Sequence, residues 1–529
     1  MFSIKNKGRF WVKRIILLIA LFSGLFFNNI SYSQLLGNEW INYSQFYYKF
    51  PIIKTGIYHI DSISLANAGI TVSSFDARNL QLFFRGEEIP IYVKGESDGV
   101  FNATDYIEFF GEPNDGWIDT ALYINGAADQ MNPGLNLFND TSMYYLSWNT
   151  STTNIRYTLE TDTDFASYTP ANYYIYKARE GLFGGGSNGY YAGELISTVS
   201  MPEYTEGEGY CYRFGPGTSY TGSWSGTVLT GLNNTIYTGG GSPLSFLKLH
   251  IASTNDPSST VNDHHHQITV ADGLVVDTIL GAYHFYQRKF TISSSALAAS
   301  TNPFKVDFLA DLSASNNAIG YYELIMPQLF DLTNRTEQLM YLPDDAIEVK
   351  ERVDITNFNT LSSPAWLFDL ENNRKITLVD NAGTLQGLIP NSGSAFAKKI
   401  YISSDAAVLN VPDTAIHPVS ADPTHYAKFR DFVNELNDRD YIIITHPSLW
   451  NEAEVYENHR WSSGFTPLLI DINELYDQFG FGIRHHPICV RNFLKMTNNS
   501  WTVKPKHVFL IGKSIRHDVL GFILLRFIL

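Results

Sequence analysis

For most of its length the chain keeps the period of a β-strand, and near residue 413 that period changes. Upstream, short aromatic and β-branched runs are broken by Gly, Asp, Asn and Pro, which is the pattern of strands and turns. Downstream, DPTHYAKFRDFVNEL sets Tyr426, Phe429, Val433 and Leu436 on one helical face, with Asp422 as N-cap and Pro423 at the first helical position. Apolar runs at 441–445, 467–472 and 507–511 then alternate with helical stretches at 451–463 and 473–479 and with a helix opened by Pro487. The order βαβαβ implies a parallel sheet with right-handed crossovers. The carboxyl ends of such strands are where ligands and chemistry are normally assembled.

At 529 residues the chain needs several cores, each of roughly 100 to 200 residues. The strand pattern divides it into a β-rich module at 34–143, a β-sandwich region at 144–412 with room for two subdomains, and a partial α/β domain at 413–529. In the first module, 62–68 is a short helix that follows Asp61 and is stopped by Gly69. In the second, YYIYKA, ELISTVSM, YCYRF, FLKLHIAST, QITVADGLVVDTIL and KFTISS are strands, followed by AIEVKE, AWLFDL, KITLVD and KKIYISS. GGGSNG at 184–189 and GGGSP at 239–243 are loops, the second marking the junction of the subdomains. Neither is a phosphate loop, since no Lys-Ser or Lys-Thr follows and no helix opens after it.

Charge and cysteine usage exclude several functions. With 37 Lys plus Arg against 53 Asp plus Glu the net charge is −16, which repels nucleic acid. Two cysteines, Cys211 and Cys489, fall in different segments, so neither a disulfide framework nor a thiolate metal cage is readable. At the N-terminus, Lys5, Lys7, Arg9, Lys13 and Arg14 precede an apolar run at 15–27, and Ser31-Tyr32-Ser33 offers the small residues of a cleavage site. Residues 1–33 are therefore expected to be a signal peptide cleaved before Gln34. The run is shorter than the about 20 apolar residues of a span, so an exported protein with no retained transmembrane segment is expected.

Few residues offer chemistry. Cys489 opens a helix near His485 and His486, as an activated thiolate would require, but Ile488 and Val490 around it mark an apolar packing position. Cys211, in YCYRF, has no base at motif spacing and reads as packing. His264, His265 and His266 are consecutive and form the best apparent metal site, but on an extended chain their side chains alternate faces and cannot converge on one ion without a tight turn, so solvated or hydrogen-bonded histidines are favoured over a metal site. Asp98, Asn102, Asp105 and Glu108 could offer oxygen ligands to calcium, but their spacing departs from the helix-loop-helix calcium pattern and also suits plain turn chemistry. Asn458-His459-Arg460 and Asp471 lie at helix and strand ends of the α/β domain without a nucleophile, and Arg460 is expected to anchor its helix by a charge pair.

The series IIITHP, YENHRWSSGF, LLIDINELYDQFGFGI, HPICVRNFLK and HVFLIGKS resembles the opening of the catalytic domain of the gingipain family of cysteine peptidases. Upstream, YYKFPIIKTGIYHID and SDGVFNATDYIEFFGEPNDGW resemble the N-terminal region of the PorU-type sortases of the type IX secretion system within that family. The resemblance implies a caspase-like α/β domain with a nucleophilic Cys assisted by a His, both placed after the strand matched by VFLIG. It also implies cleavage or transpeptidation of protein C-terminal signals at the cell surface, with protein substrates or secretion-system components as partners. An acid often follows the Gly of that strand in the family, whereas Lys513 stands here.

The chain then closes on VLGFILLRFIL, which does not resemble the usual continuation and suggests a frameshift or premature stop. A chain ending within its catalytic domain is expected to be inactive alone, and no residue of it is assigned a catalytic, cofactor-binding or metal role. The alternative is a non-catalytic surface β-sandwich that binds glycans or partner proteins through exposed aromatics.

Overall fold

Period-two runs become sheets wherever one face can be buried, and the computed structural model shows which faces meet. It describes residues 36–184, 189–191, 193, 204–256, 262–312, 315–344, 347–394 and 396–513. The signal-peptide segment, the ELISTVSM run and the apolar residues at 519–529 lie outside these. No helix among the described residues is long and apolar enough to cross a membrane.

The N-terminal module is two small sheets face to face. One contains Tyr47–Ile52, Ser142–Trp148, Leu80–Phe84 and Glu87–Ile89; the other contains Gly56–Asp61, Tyr106–Gly111 and Tyr92–Val93. Phe50, Ile60, Leu82, Phe109 and Tyr144 pack between them. The expected short helix is present at Ser62–Asn67, and the Asp61 carboxylate accepts from the Ser64 backbone N–H at 2.8 Å. The division drawn at 143/144 needs correction, because it falls inside the strand Ser142–Trp148. Two later strands, Leu409–Asn410 and His417–Pro418, also return to the edges of these sheets.

The sandwich region is built on one ten-stranded sheet. Half of it, including Ser245–Ser253 and Asn317–Gln328, faces a four-stranded sheet containing His264–Val270 and Phe304–Leu309. Leu249, Ile251, Ile268, Val306 and Leu324 fill that core. The other half, including Glu337–Leu342, Ala365–Asp369 and Lys398–Ser404, faces a three-stranded sheet, with Met340, Val353, Leu367 and Ile400 between. The two halves are stitched by the single residue pair Tyr341 and Ile175. The subdomain junction is thus this ladder, not GGGSP, which leads into a strand of the first core. QITVADGLVVDTIL folds as a hairpin whose turn residues Ala271 and Asp272 take φ of +47° and +63°, the left-handed values that match strand twist.

The parallel sheet forms as the periodicity implies. Tyr441–Thr445 lies between Pro467–Asp471 and His507–Ile511, all parallel. Tyr441, Ile443 and Leu469 pack on the side of the helix Trp450–Ser462, while Ile442, Ile444, Leu468 and Ile470 pack on Ile472–Phe479 and Ile488–Ser500. The helix expected over 422–436 does not form, and the segment is a series of turns. Asp422 accepts from the Thr424 backbone N–H at 2.9 Å, Asp431 accepts from Val433 at 3.1 Å and Asn434 at 3.0 Å, and Ala427 takes φ +54°. These side chains capture backbone donors that a helix would use. The segment also serves two cores: Phe429 packs on Tyr47 at 5.1 Å in the N-terminal module, whereas Phe432 enters the α/β core.

Candidate functional site at the carboxyl ends of the parallel strands

Because the first strand of the parallel sheet lies in its middle, strand order reverses there, which is where open α/β sheets place ligands. Thr445, Asp471 and Ile511 stand in one register at the carboxyl ends, and Thr445 Oγ1 donates to the Ile511 carbonyl at 3.2 Å. Just beyond, His446 Nδ1 accepts from the Ser448 backbone N–H at 3.2 Å, capping the turn Pro447–Leu449. Asp471 caps the helix Ile472–Phe479 by accepting from Asn473 N–H at 2.9 Å. Burial pushes the Asp471 carboxyl above the usual carboxylate range, against the pull of that cap and of His446. Burial, reinforced by Arg484 and His446, pushes the His485 imidazole down. This edge therefore carries a carboxyl that holds its proton more readily than usual and an imidazole that releases one more readily, without a nucleophile beside them among the described residues.

The sequence candidates lie elsewhere. Cys489 is fully buried against Phe479 and Phe493, and burial pushes its thiol far up, so it is a packing residue. Cys211 is fully buried near Met131 and Phe285, and burial pushes its thiol up to about 12. The three histidines alternate as the strand demands: His264 and His266 point inward to the Asn317 Oδ1 at 2.9 and 2.7 Å, while His265 points outward between Asp277 and Asp311. Among the described residues no group of His, Cys, Asp and Glu is arranged to hold a metal ion.

The acidic loop divides as well. Asp105 accepts from the Asn102 backbone N–H at 2.7 Å and Asp98 accepts from Val100 N–H at 2.9 Å, both turn contacts. Glu108 faces away, to Lys375 at 2.6 Å and His59 at 2.8 Å. Its burial alone would raise the carboxyl, and these two partners hold it below the usual range. Asn458 and His459 sit on the last turns of Trp450–Ser462. Among the described residues Arg460 makes no charge pair that would anchor that helix. Its guanidinium lies over the rings of Tyr456 at 4.7 Å and Tyr441 at 5.3 Å.

Two polar contacts that sequence reasoning missed fix this unit to the N-terminal module. Asp477 pairs with Lys49 at 2.5 Å and accepts from the Tyr145 hydroxyl at 3.0 Å. His486 Nε2 lies 3.0 Å from Asp119 Oδ1, both fully buried, and Asp119 also accepts from Asn136 at 2.6 Å and Leu137 N–H at 2.9 Å. Asp477 carried no local signal: Leu475 and Phe479 already supply the core face of its helix, and its burial beside Gln478 comes from the module docked against it. Asp119 had none either.

With the parallel sheet and its docking established, the sequence profile of Peptidase family C25 matches residues 434–523. The match is local, and over residues 434–523 the chain is similar to the gingipain family, C25. The C25 segment thus begins within the turns that precede the first parallel strand. Among solved structures, dimeric latent PorU from Porphyromonas gingivalis is similar in fold, with a TM-score of 0.51 and 12% identity, covering 88% of this chain and 41% of that one. The chain therefore spans well under half the length of that relative. A CBM36-1 domain of a multidomain xylanase from the hindgut metagenome of Trinervitermes trinervoides gives a TM-score of 0.14 at 13% identity, covering 28% of this chain and 95% of that one, and carries no argument. No curated protein matches the chain.

Proposed function

We propose that this chain is part of an exported gingipain-like cysteine peptidase of the sortase type acting on protein C-terminal signals, and that the residues described are its platform and the opening strands of a caspase-like catalytic domain. The observation that carries the reading is the C25 match lying on a three-stranded parallel sheet whose helix is bonded to a β-rich module. In this reading the β modules hold the sheet and neither cysteine is the nucleophile. Cys489 and Cys211 are sealed in cores, and their thiols are raised rather than lowered, the reverse of what nucleophilic attack needs. His446 and Asp471 are second-rank members of the site, at its edge, where they shape the strand ends.

Thiol labelling of the purified chain tests this. A peptidyl acyloxymethyl ketone probe is expected to leave both cysteines unmodified in the native chain, and iodoacetamide to reach them only after unfolding in urea. Probe labelling of native Cys489, with peptide hydrolysis lost in Cys489→Ala, would overturn the assignment.

A further inference from the structure

The N-terminal module and the ten-stranded sheet do not meet flush. Between them is a cavity of about 670 Å³, which shares Thr55, Pro113, Arg179 and Tyr341 with a second of about 520 Å³. The two form one elongated groove, and each is in the size range of ligand sites. None of His446, Asp471, His485 or Cys489 borders it.

The first cavity has a surplus of donors. Three cations line it, Arg85, Arg179 and Lys399, against two carboxylates, Glu112 and Asp115. Both carboxylates are engaged: Asp115 pairs with Arg85 at 3.0 Å, and both Glu112 oxygens lie 2.9 Å from Lys399 Nζ. The Arg179 guanidinium makes no hydrogen bond or ion pair among the described residues, and Asp115 and Glu112 reach it only through space. In the same wall two donors are buried without an acceptor, Arg85 Nε and Trp117 Nε1. Buried donors left without partners cost about 1 to 3 kcal/mol each, so this wall keeps uncompensated positive character behind the cavity surface. A local cationic excess on a chain of net charge −16 also focuses the field for an anion. The second cavity differs: Ile53, Val228 and Leu339 give it an aliphatic stretch beside Tyr176 and Tyr401, and its other charges are engaged, Lys54 with Glu337 at 3.1 Å and Lys177 over the Tyr341 ring at 3.7 Å.

We propose that this groove binds an extended acidic peptide segment, with a carboxylate on the Arg179 guanidinium and aliphatic side chains along Ile53, Val228 and Leu339. Guanidinium and carboxylate match as a two-pronged pair. The aliphatic stretch suits Val or Leu side chains, and Arg179, shared by the two cavities, suits a carboxylate on the same ligand. The proposal is independent of the peptidase reading, because it needs binding only and uses no residue of the strand ends.

The test is fluorescence anisotropy on the full chain. The probe is a fluorescein-labelled octapeptide that alternates Val and Thr and ends in Glu with a free carboxylate. Its control ends in Gln carboxamide. The acidic peptide is expected to bind at least about tenfold more tightly, as a lost charge-assisted pair predicts. Arg179→Gln should abolish that preference without changing the melting temperature, and Arg179→Lys should keep part of it. Val228→Glu should weaken both peptides while preserving the order of the two, which separates the aliphatic end from the cationic end. Equal affinity of the two peptides, a preference unchanged in Arg179→Gln, or binding of oligogalacturonate with no binding of either peptide would each overturn the proposal.

Discussion

Lowering the pH should unlock the first sandwich through two buried histidines. His250 lies beneath the Gln130 and Met131 carbonyls, and His266 lies between Tyr286 and Asn317. Burial holds each imidazole at about 4, with those hydrogen bonds opposing it, against about 6.5 in an unfolded chain. The folded state therefore binds fewer protons than the unfolded state between these values, and stability falls as pH drops through the window. Moving from about pH 7.5 to about pH 5 costs about 2 kcal/mol for each histidine, or about 4 kcal/mol together.

Glu208 acts in the opposite sense. Burial raises it to about 7, so the folded state takes up its proton first and gains about 2 kcal/mol over the same interval. The whole-chain slope is therefore not diagnostic, but a difference is. Urea unfolding of the wild type and of the His250→Gln/His266→Gln variant, at both pH values, cancels Glu208. The wild type should lose about 4 kcal/mol more than the variant on acidification. Parallel pH dependence of the two proteins would refute the assignment of neutral, desolvated imidazoles.

Three further outcomes are expected. Asp477→Asn leaves the Lys49 ammonium, only 17% exposed, without its carboxylate and should cost about 2 to 3 kcal/mol, seen as faster proteolysis of the turns at 422–440 that join the two units. Lys375→Met leaves Glu108 buried with only His59 as partner and should cost about 3 kcal/mol near neutral pH; because the Glu108 carboxyl is held low, the loss should shrink as pH falls through its folded value. Removing divalent ions with EDTA should leave the melting temperature unchanged, since Asp98 and Asp105 are engaged by backbone donors; a drop would indicate calcium in that loop.

The parallel sheet was legible because a run such as Tyr441–Thr445 has no polar face to show to water, so it must be covered on both sides. The helix over 422–436 was misread for a related reason. Its apolar spacing fits one face, but the fold sends Phe429 to one core and Phe432 to another, and Asp422 and Asp431 supply turns that no helical count registers. Strand alternation likewise marks an inner face without naming the partner. Nothing local to Ile175 or Tyr341 says that they join two sandwiches into one sheet. The alternation of His264, His265 and His266 was readable from strand geometry alone, whereas of their partners only Asp277 lies in the same hairpin, and Asn317 and Asp311 come from segments 53 and 46 residues away.

The α/β unit is held asymmetrically, and that asymmetry bears on where chemistry can be built. Asp471 caps the helix that carries Asp477, six residues and about 9 Å further along its axis. Lys49 and Tyr145 grip that residue from the platform, so the strand end at Asp471 is tied to a β-sheet through less than two turns of helix. On the other side, His507–Ile511 leaves Val508 42%, Phe509 41% and Leu510 61% exposed. Successive residues of a strand point to opposite faces: Phe509 leans on the Tyr456 ring at 4.8 Å, whereas Val508 and Leu510 on the other face are left largely uncovered by the described residues, while the central strand is buried throughout. A fixed edge at Asp471 and an open apolar strand across the sheet give any group placed beside Ile511 a rigid frame to be positioned against. The platform's bonds to Asp477 and His486 are therefore better understood as setting that frame than as adding net stability, since a buried ion pair repays little beyond its own desolvation.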